Sequence, residues 1–171
     1  MTAGLVIIQT AFPGDVILTG GLIRSVRAVW EDLPLAMVTR PDTAPIAEMM
    51  DPDLKVIPFD KRGADRGLEG MKRLAGRLAD GPWDSALIPH RSVRSALLVR
   101  LAGIPTRIGY DLGAQAWLHT HRASYRRGVH EVERHIDLLA VLCDLFEREP
   151  PPFRSPMLQP TEQGIAEPPA V

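Results

Sequence analysis

The stretch that most restricts the fold is LVIIQTAFPGDVIL, Leu5 to Leu18. Leu5–Gln9 is a short apolar run with β-branched residues, as expected of a central strand of a parallel sheet covered on both faces. Thr10–Gly14 reads as a tight loop in which Gly14 permits a sharp turn. A helix opens at Asp15, whose carboxylate can cap it by accepting from orphan backbone N–H groups. In open α/β sheets the ligand crevice lies beyond the carboxyl ends of the strands. Asp15, the sole carboxylate of this loop, therefore has two readings. It is either a helix cap alone or a functional carboxylate facing the crevice.

The same alternation runs on along the chain. Val16–Trp30 has helical spacing, with Val16, Leu22, Ile23, Val26 and Val29 on one stripe and Arg24 and Arg27 outward. Gly20–Gly21 within it costs helix propensity and marks a place of close approach by another backbone or a ligand. Leu35–Thr39 is a second strand, Ala44–Met50 a short helix, and Leu54–Phe59 a third strand whose Pro58 is expected to leave the ladder. Leu68–Leu78 is an amphipathic helix, Ser85–Ile88 a fourth strand, Ser92–Leu101 a helix and Thr106–Tyr110 a fifth strand. Asp111–Thr120 is irregular or partly helical. Glu131–Glu147 is a strong helix with Val132, Ile136, Leu139, Ala140, Cys143 and Phe146 at helical spacing. Strands alternating with helices predict βαβ units and right-handed crossovers. From Pro150 the chain turns proline-rich, as in a linker or tail. This divides it into a domain over 1–149 and a linker or tail over 150–171.

Composition removes several classes of function. A chain of 171 residues, 45 % hydrophobic with net charge −1, is expected to be one soluble domain without general affinity for nucleic acid. The lone Cys143 reads as a buried small hydrophobe, with no disulfide or zinc framework. No basic region precedes the N-terminal apolar run, and no run approaches the roughly 20 residues of a membrane span, so the cytoplasm is the expected compartment. Charge is unevenly spread. Between Ile88 and His130 lie Arg91, Arg94, Arg100, Arg107, Arg122, Arg126 and Arg127 against the single acid Asp111. Such an excess reads either as solvated helix faces or as an anion-binding face, for which the planar guanidinium is suited.

Three loops converge on one crevice if the sheet is ordered this way: Thr10–Asp15, Asp60–Arg66 and Pro89–Arg94. They place one carboxylate beside Lys61, Arg62, Arg91 and Arg94. A carboxylate among guanidinium groups stays ionised and can take a proton from a reacting hydroxyl, while the cations hold an anionic substrate. Other chemistries fit poorly. The first loop has one glycine instead of G-x-G-x-x-G, and no Walker loop is present. His119 and His121 lack the acid or cysteine partners of a zinc site. His130 beside Glu131 reads as a cap or surface pair. Ser92 and Ser95 near His90 lack a nucleophile elbow.

The segment IQTAFPGDVILTGGLIRSVR, followed in order by FDKRG, ALIPHRSVRSALLVRLAGIPTRIGYD and THRASYRRGVHEVERHIDLL, resembles glycosyltransferase family 9, the ADP-heptose:lipopolysaccharide heptosyltransferases, and within it the heptosyltransferase II type. The resemblance covers Leu5 to Phe146. It implies an α/β Rossmann-like parallel sheet flanked by helices, equivalent to the N-terminal half of a GT-B glycosyltransferase. That half holds the lipopolysaccharide core acceptor, and the C-terminal half holds the ADP-sugar. The implied reaction inverts the anomeric centre and needs no metal or cofactor, ADP-heptose being a substrate. Asp15 matches the family's general base. Thr10, Gly14, Lys61, Arg62, Arg91 and Arg94 fall at acceptor-binding positions. Gly20–Gly21 replaces the family's frequent Thr-Pro, and Pro13 its frequent Leu. The family's chains are about twice as long, so the donor domain is expected to be missing from this chain and to come, if at all, from a second polypeptide, with transient contact at the inner membrane. Two other functions remain open at this point: a non-catalytic anion- or glycolipid-binding module, and a nucleotide-binding flavodoxin-like domain.

Overall fold

A computed structural model describes residues 2–152, 154 and 155; most of the proline-rich tail expected over 150–171 lies outside the described residues. The elements are β1 (Leu5–Ile8), α1 (Pro13–Val29), β2 (Leu35–Thr39), α2 (Ala44–Glu48), β3 (Lys55–Pro58), α3 (Gly67–Ala79), β4 (Ser85–Leu87), α4 (Val93–Leu101), β5 (Thr106–Tyr110), β6 (His121–Ala123) and α5 (Glu131–Leu145). All strand pairs are parallel, in the order β3-β2-β1-β4-β5-β6. The chain is an α/β Rossmann-like domain.

β1 is central because it buries everything it has. All four of its side chains are fully inaccessible, and Ile7 stands in register with Met37 on one side and Leu87 on the other. Its alternate residues feed two separate cores. Leu5 and Ile7 pack with Val16, Leu22 and Ile23 of α1 and with Leu138, Leu139 and Leu142 of α5. Val6 and Ile8 pack with Met71, Leu74 and Leu78 of α3 and with Ala96, Leu98 and Val99 of α4. Each such side chain contributes about 1.5–3 kcal/mol when withdrawn from water. The helices therefore lie on both faces of the sheet, as a continuous apolar strand requires. Among the described residues no helix is long and apolar enough to cross a membrane.

Four local expectations change. The sheet has six strands, since His121–Ala123 pairs with β5. Three residues are too few to show alternation, and the strand is admitted because Gly109 leaves room for the His119 ring, whose Nε2 would lie 2.3 Å from a side-chain carbon there. Pro58 stays in the ladder opposite Thr39, because β3 is an edge strand and needs no second partner. α1 begins at Pro13, so Gly14 lies in its first turn and makes no sharp bend. α5 buries Val132, His135, Leu138, Leu139, Leu142 and Cys143, whereas Ile136 and Ala140 are only half-buried. The expected stripe was rotated because an apolar count passes over His135, which is wholly buried.

Buried histidines make this fold acid-sensitive. Burial holds His135 and His119 near a pKa of about 4, against an ordinary 6.5. The unfolded chain thus takes up protons first. Stability is complete above about pH 6.5 and is lost as the pH falls from there toward 4. Urea midpoints measured across this range are expected to fall, with roughly 1–3 kcal/mol lost per ring. His135→Leu, which removes one titrating ring at similar volume, is expected to flatten the slope.

Candidate functional site

The strand order reverses between β1 and β4: the chain moves outward from β1 through β2 to β3, then returns to β4 on the other side. The loops after β1 and β4 diverge at this point and open a crevice. A hollow of about 180 Å³ lies there, lined by Gln9, Ala11, Asp15, His90, Arg91, Tyr110, Tyr125 and Glu131.

Asp15 is the third residue of α1, and the N-cap is Phe12. Its Oδ2 accepts from the Phe12 N–H at 3.1 Å, tying the helix start back on itself. It is therefore not the N-cap expected from sequence, although it does help close the helix. This bond uses one oxygen, and Oδ1 has no protein partner among the described residues. Gln9, almost wholly buried, braces the loop: its Nε2 donates to Thr19 Oγ1 at 3.2 Å and its Oε1 accepts from Ala11 N–H at 3.4 Å. Gly14 faces open space where a side chain would project, which leaves the approach to Asp15 clear.

Of the four cations expected around Asp15, only Arg91 lines its hollow. Arg91 is exposed, and its guanidinium lies over the Tyr125 ring, 4.9 Å from the centroid. Arg134 stacks on the same ring at 4.9 Å, and Tyr110 meets it edge-on at 5.2 Å. Lys61 and Arg62 line a neighbouring hollow of about 200 Å³ together with Arg40, Asp42, Phe59 and Asp60. Lys61 joins the two places, since its Nζ donates to the Thr10 carbonyl at 2.9 Å. Burial, then the charges of Arg40, Arg62 and Arg94, push the Lys61 ammonium below its usual range. Thr10 is buried, and its carbonyl is what it contributes here. Arg94 belongs to neither hollow. It lies over Phe59 at 5.2 Å and donates to the carbonyls of Asp65 and Gly67, so it holds the loop before α3. A long side chain at the start of a helix reaches either way, which residue spacing does not decide.

Several groups in the hollow were not singled out from sequence. Glu131, at the first position of α5, pairs with Arg134, and its Oε1 lies 3.6 Å from His135 Nε2. His90 shares a hydrogen bond with Ser95 Oγ at 3.0 Å, and its Nδ1 is buried without a partner. Burial above all, with Lys61 adding to it, depresses the His90 pKa to about 4, so the ring is neutral. The Tyr110 hydroxyl is also buried and unpartnered, and burial pushes its pKa above the usual phenol range. Applying the strand-end rule to β5 points to Tyr110, whereas Tyr125 follows β6, whose three residues give no such signal. Ser92 caps α4 by accepting from Ser95 N–H, and His130 caps α5 by accepting from Val132 N–H. Among the described residues no three His, Cys, Asp or Glu side chains converge on a metal position.

Chemically the hollow offers one carboxylate oxygen without a protein partner, one exposed guanidinium beside it, and neutral hydrogen-bonding groups behind. Glu131 is paired with Arg134, so Asp15 is the carboxylate of this hollow without an ion-pair partner among the described residues. The adjoining hollow offers Arg40, Lys61 and Arg62 against two acids, Asp60 and the Asp42 that pairs with Arg40.

Comparisons with known proteins agree with this geometry. Escherichia coli heptosyltransferase WaaC with ADP-2-deoxy-2-fluoro heptose superposes with a TM-score of 0.72 at 20 % identity, over 88 % of this chain and 50 % of that one. E. coli ADP-heptose LPS heptosyltransferase II gives 0.72 at 23 % identity, over 94 % and 47 %. The family 9 glycosyl transferase of Veillonella parvula gives 0.79 at 19 % identity, over 95 % and 46 %. The chain thus spans about half the length of these solved structures, and at such identities they show the fold alone. No curated protein matches the sequence. The family model for glycosyltransferase family 9 (heptosyltransferase) matches residues 71–159, from α3 through β4, β5, β6 and α5, and starts after the Asp15 loop. Because that match takes in more than half of the 171 residues, the chain belongs to glycosyltransferase family 9.

Proposed function

We propose that residues 1–149 form the acceptor-binding half of a heptosyltransferase, with Asp15 as the general base. The observation that carries this reading is the placement of Asp15 at the switch point, with Oδ1 unpartnered beside Arg91. In the proposed reaction the acceptor hydroxyl gives its proton to Asp15 Oδ1. The hydroxyl oxygen bonds to the anomeric carbon of ADP-heptose from the face opposite the leaving group. The bond from that carbon to the ADP oxygen breaks, and ADP departs with the electron pair. The anomeric centre inverts, and no step calls for a cofactor.

The acceptor is proposed to be lipopolysaccharide core, in keeping with the printed name of the heptosyltransferase II relative. Arg91 and the Arg40–Lys61–Arg62 hollow supply charge for its anionic substituents, by paired and charge-assisted hydrogen bonds. The nucleotide-sugar half is proposed to come from a second domain or chain facing the crevice, at the cytoplasmic side of the inner membrane. Residues 1–149 by themselves are then expected to bind acceptor without turnover.

A second reading, a non-catalytic binder of anionic glycolipid, is favoured by one observation: the bond from Phe12 N–H already gives Asp15 a structural role. Asp15→Asn separates the two, because the amide oxygen keeps the cap and loses the base. With a donor-binding half, ADP-heptose and core acceptor present, this variant is expected to lose about 10²- to 10⁴-fold in kcat with KM for acceptor little changed. Unchanged kcat overturns the catalytic reading and leaves the binding one. Arg91→Ala is expected instead to raise KM for a phosphorylated acceptor about tenfold or more, as loss of a charge-assisted contact does. Arg62→Ala is expected to act in the same sense, and less for an acceptor stripped of its phosphates.

A further inference from the structure

One aromatic ring joins four segments around the Asp15 hollow. Tyr125 follows β6, and its N–H donates to Asp111 Oδ1 at 2.9 Å, which ties it to the end of β5. The last residue of β5, Tyr110, meets the ring edge-on at 5.2 Å and 83°. Tyr110 is almost wholly buried, so the Tyr125 ring has a fixed neighbour on that side. Two cations lie over the ring, Arg91 from the loop after β4 and Arg134 from α5, each 4.9 Å from its centroid. The face of an aromatic ring is negative and attracts a cation, and a guanidinium suits it best because it is planar and weakly hydrated.

The two cations differ in what else they touch. Arg134 pairs with Glu131 and donates to the carbonyls of Arg126 and Val129, so it is held without the ring. Arg91 is exposed and enters no ion pair among the described residues. What the structure sets against its guanidinium is the Tyr125 ring. Two like charges sharing one ring repel each other. Glu131 answers the charge of Arg134, and Arg91 is the one left to take an anion. A surface arginine that nothing holds samples many rotamers, and ordering it on binding weakens affinity. Contact with a ring uses the flat of a guanidinium, whereas its N–H donors point outward in its plane. Arg91 can thus rest on Tyr125 and still present two parallel donors to an oxyanion.

We infer that Tyr125 is a positioning residue: its ring holds the Arg91 guanidinium at the Asp15 hollow, ready for a phosphate group of the acceptor. The inference rests on the proposed acceptor reading and deepens it. Tyr125 acts through Arg91 and not on the reacting atoms, so its loss falls on acceptor affinity and not on proton transfer to Asp15.

Calorimetric titration of the 171-residue chain with phosphorylated and dephosphorylated core acceptor, in the absence of donor, tests it. Tyr125→Phe is expected to bind the phosphorylated form as the parent does, since the ring and not the hydroxyl makes the contact. Tyr125→Leu is expected to bind it about fivefold more weakly, the share of one cation–ring contact, and to bind the dephosphorylated form unchanged. Tyr125→Met, which fills more of the same space, serves in its place should Tyr125→Leu misfold. Adding Tyr125→Leu to Arg91→Ala is expected to weaken binding no further. In proton–nitrogen correlation spectra the Arg91 Nε–H resonance is expected to be displaced by the ring current in the parent and in Tyr125→Phe, and to return to the position of a free arginine in Tyr125→Leu. Parent-like binding by Tyr125→Leu, an equal loss for both acceptor forms, an additive loss in the double variant, or an Arg91 resonance indifferent to Tyr125 overturns the inference and leaves the acceptor reading standing. A parent chain that binds neither form overturns the acceptor reading itself, and the inference falls with it.

Discussion

The structure depends on one constraint: β1 must be covered on both faces. Its four side chains are inaccessible, and their alternation sends Leu5 and Ile7 to one core and Val6 and Ile8 to the other. A strand so apolar has no solvent face to offer, which places it inside a parallel sheet with helices above and below. Once β1 is central, right-handed crossovers place β2 and β3 on one side and β4 to β6 on the other. The crevice between the β1 and β4 loops follows from that reversal. The site is thus a consequence of packing before any polar residue is considered.

Into that crevice the chain places charge sparingly. Asp15 spends one oxygen closing α1 and keeps the other without a protein partner among the described residues, so the bond that steadies the helix also fixes the position of that second oxygen. An acid at this position also stands at the positive end of the helix dipole. The cations are divided between two hollows and do not ring the acid. Arg91 stands by Asp15, and Lys61 and Arg62 stand with Arg40. Separation of this kind suits a substrate whose reacting hydroxyl and anionic groups lie apart. A carboxylate saturated by several guanidinium groups would be a poorer base, because each opposite charge stabilises its ionised form.

Sequence reading reached the layers and the edge of the sheet that carries the site, and it failed where local pattern underdetermines tertiary direction. β1 and β2 are apolar runs, and β3, β4 and β5 are short stretches set off by proline, glycine or acid, which makes them legible. β6 is three residues long and owes its place to Gly109 accepting the His119 ring, a contact no local pattern contains. His135 defeated the reading of α5, because a neutral buried imidazole counts as polar in sequence and as core in space. Arg94 was credited to the crevice as part of the Pro89–Arg94 loop. Its guanidinium instead finds Phe59 and two carbonyls of the preceding loop. Tyr110 lay within reach of the strand-end argument, which had stopped at the fourth strand, whereas Glu131 follows β6 and did not.

The two ends of the sheet separate arginines that the sequence groups together. The arginine excess between Ile88 and His130 is one stretch in sequence and two places in space, because β5 carries Arg107 near its start and Tyr110 at its finish. Parallel strands keep such a separation fixed: every strand end with a free loop faces the crevice, and every strand start faces away. Arg91 follows β4 and is therefore drawn to the crevice. Arg100, at the far end of the helix that follows, is returned to the opposite edge together with Trp117. A helix running back against its strand thus sets the arginines on either side of it at opposite ends of the sheet within a single βα unit.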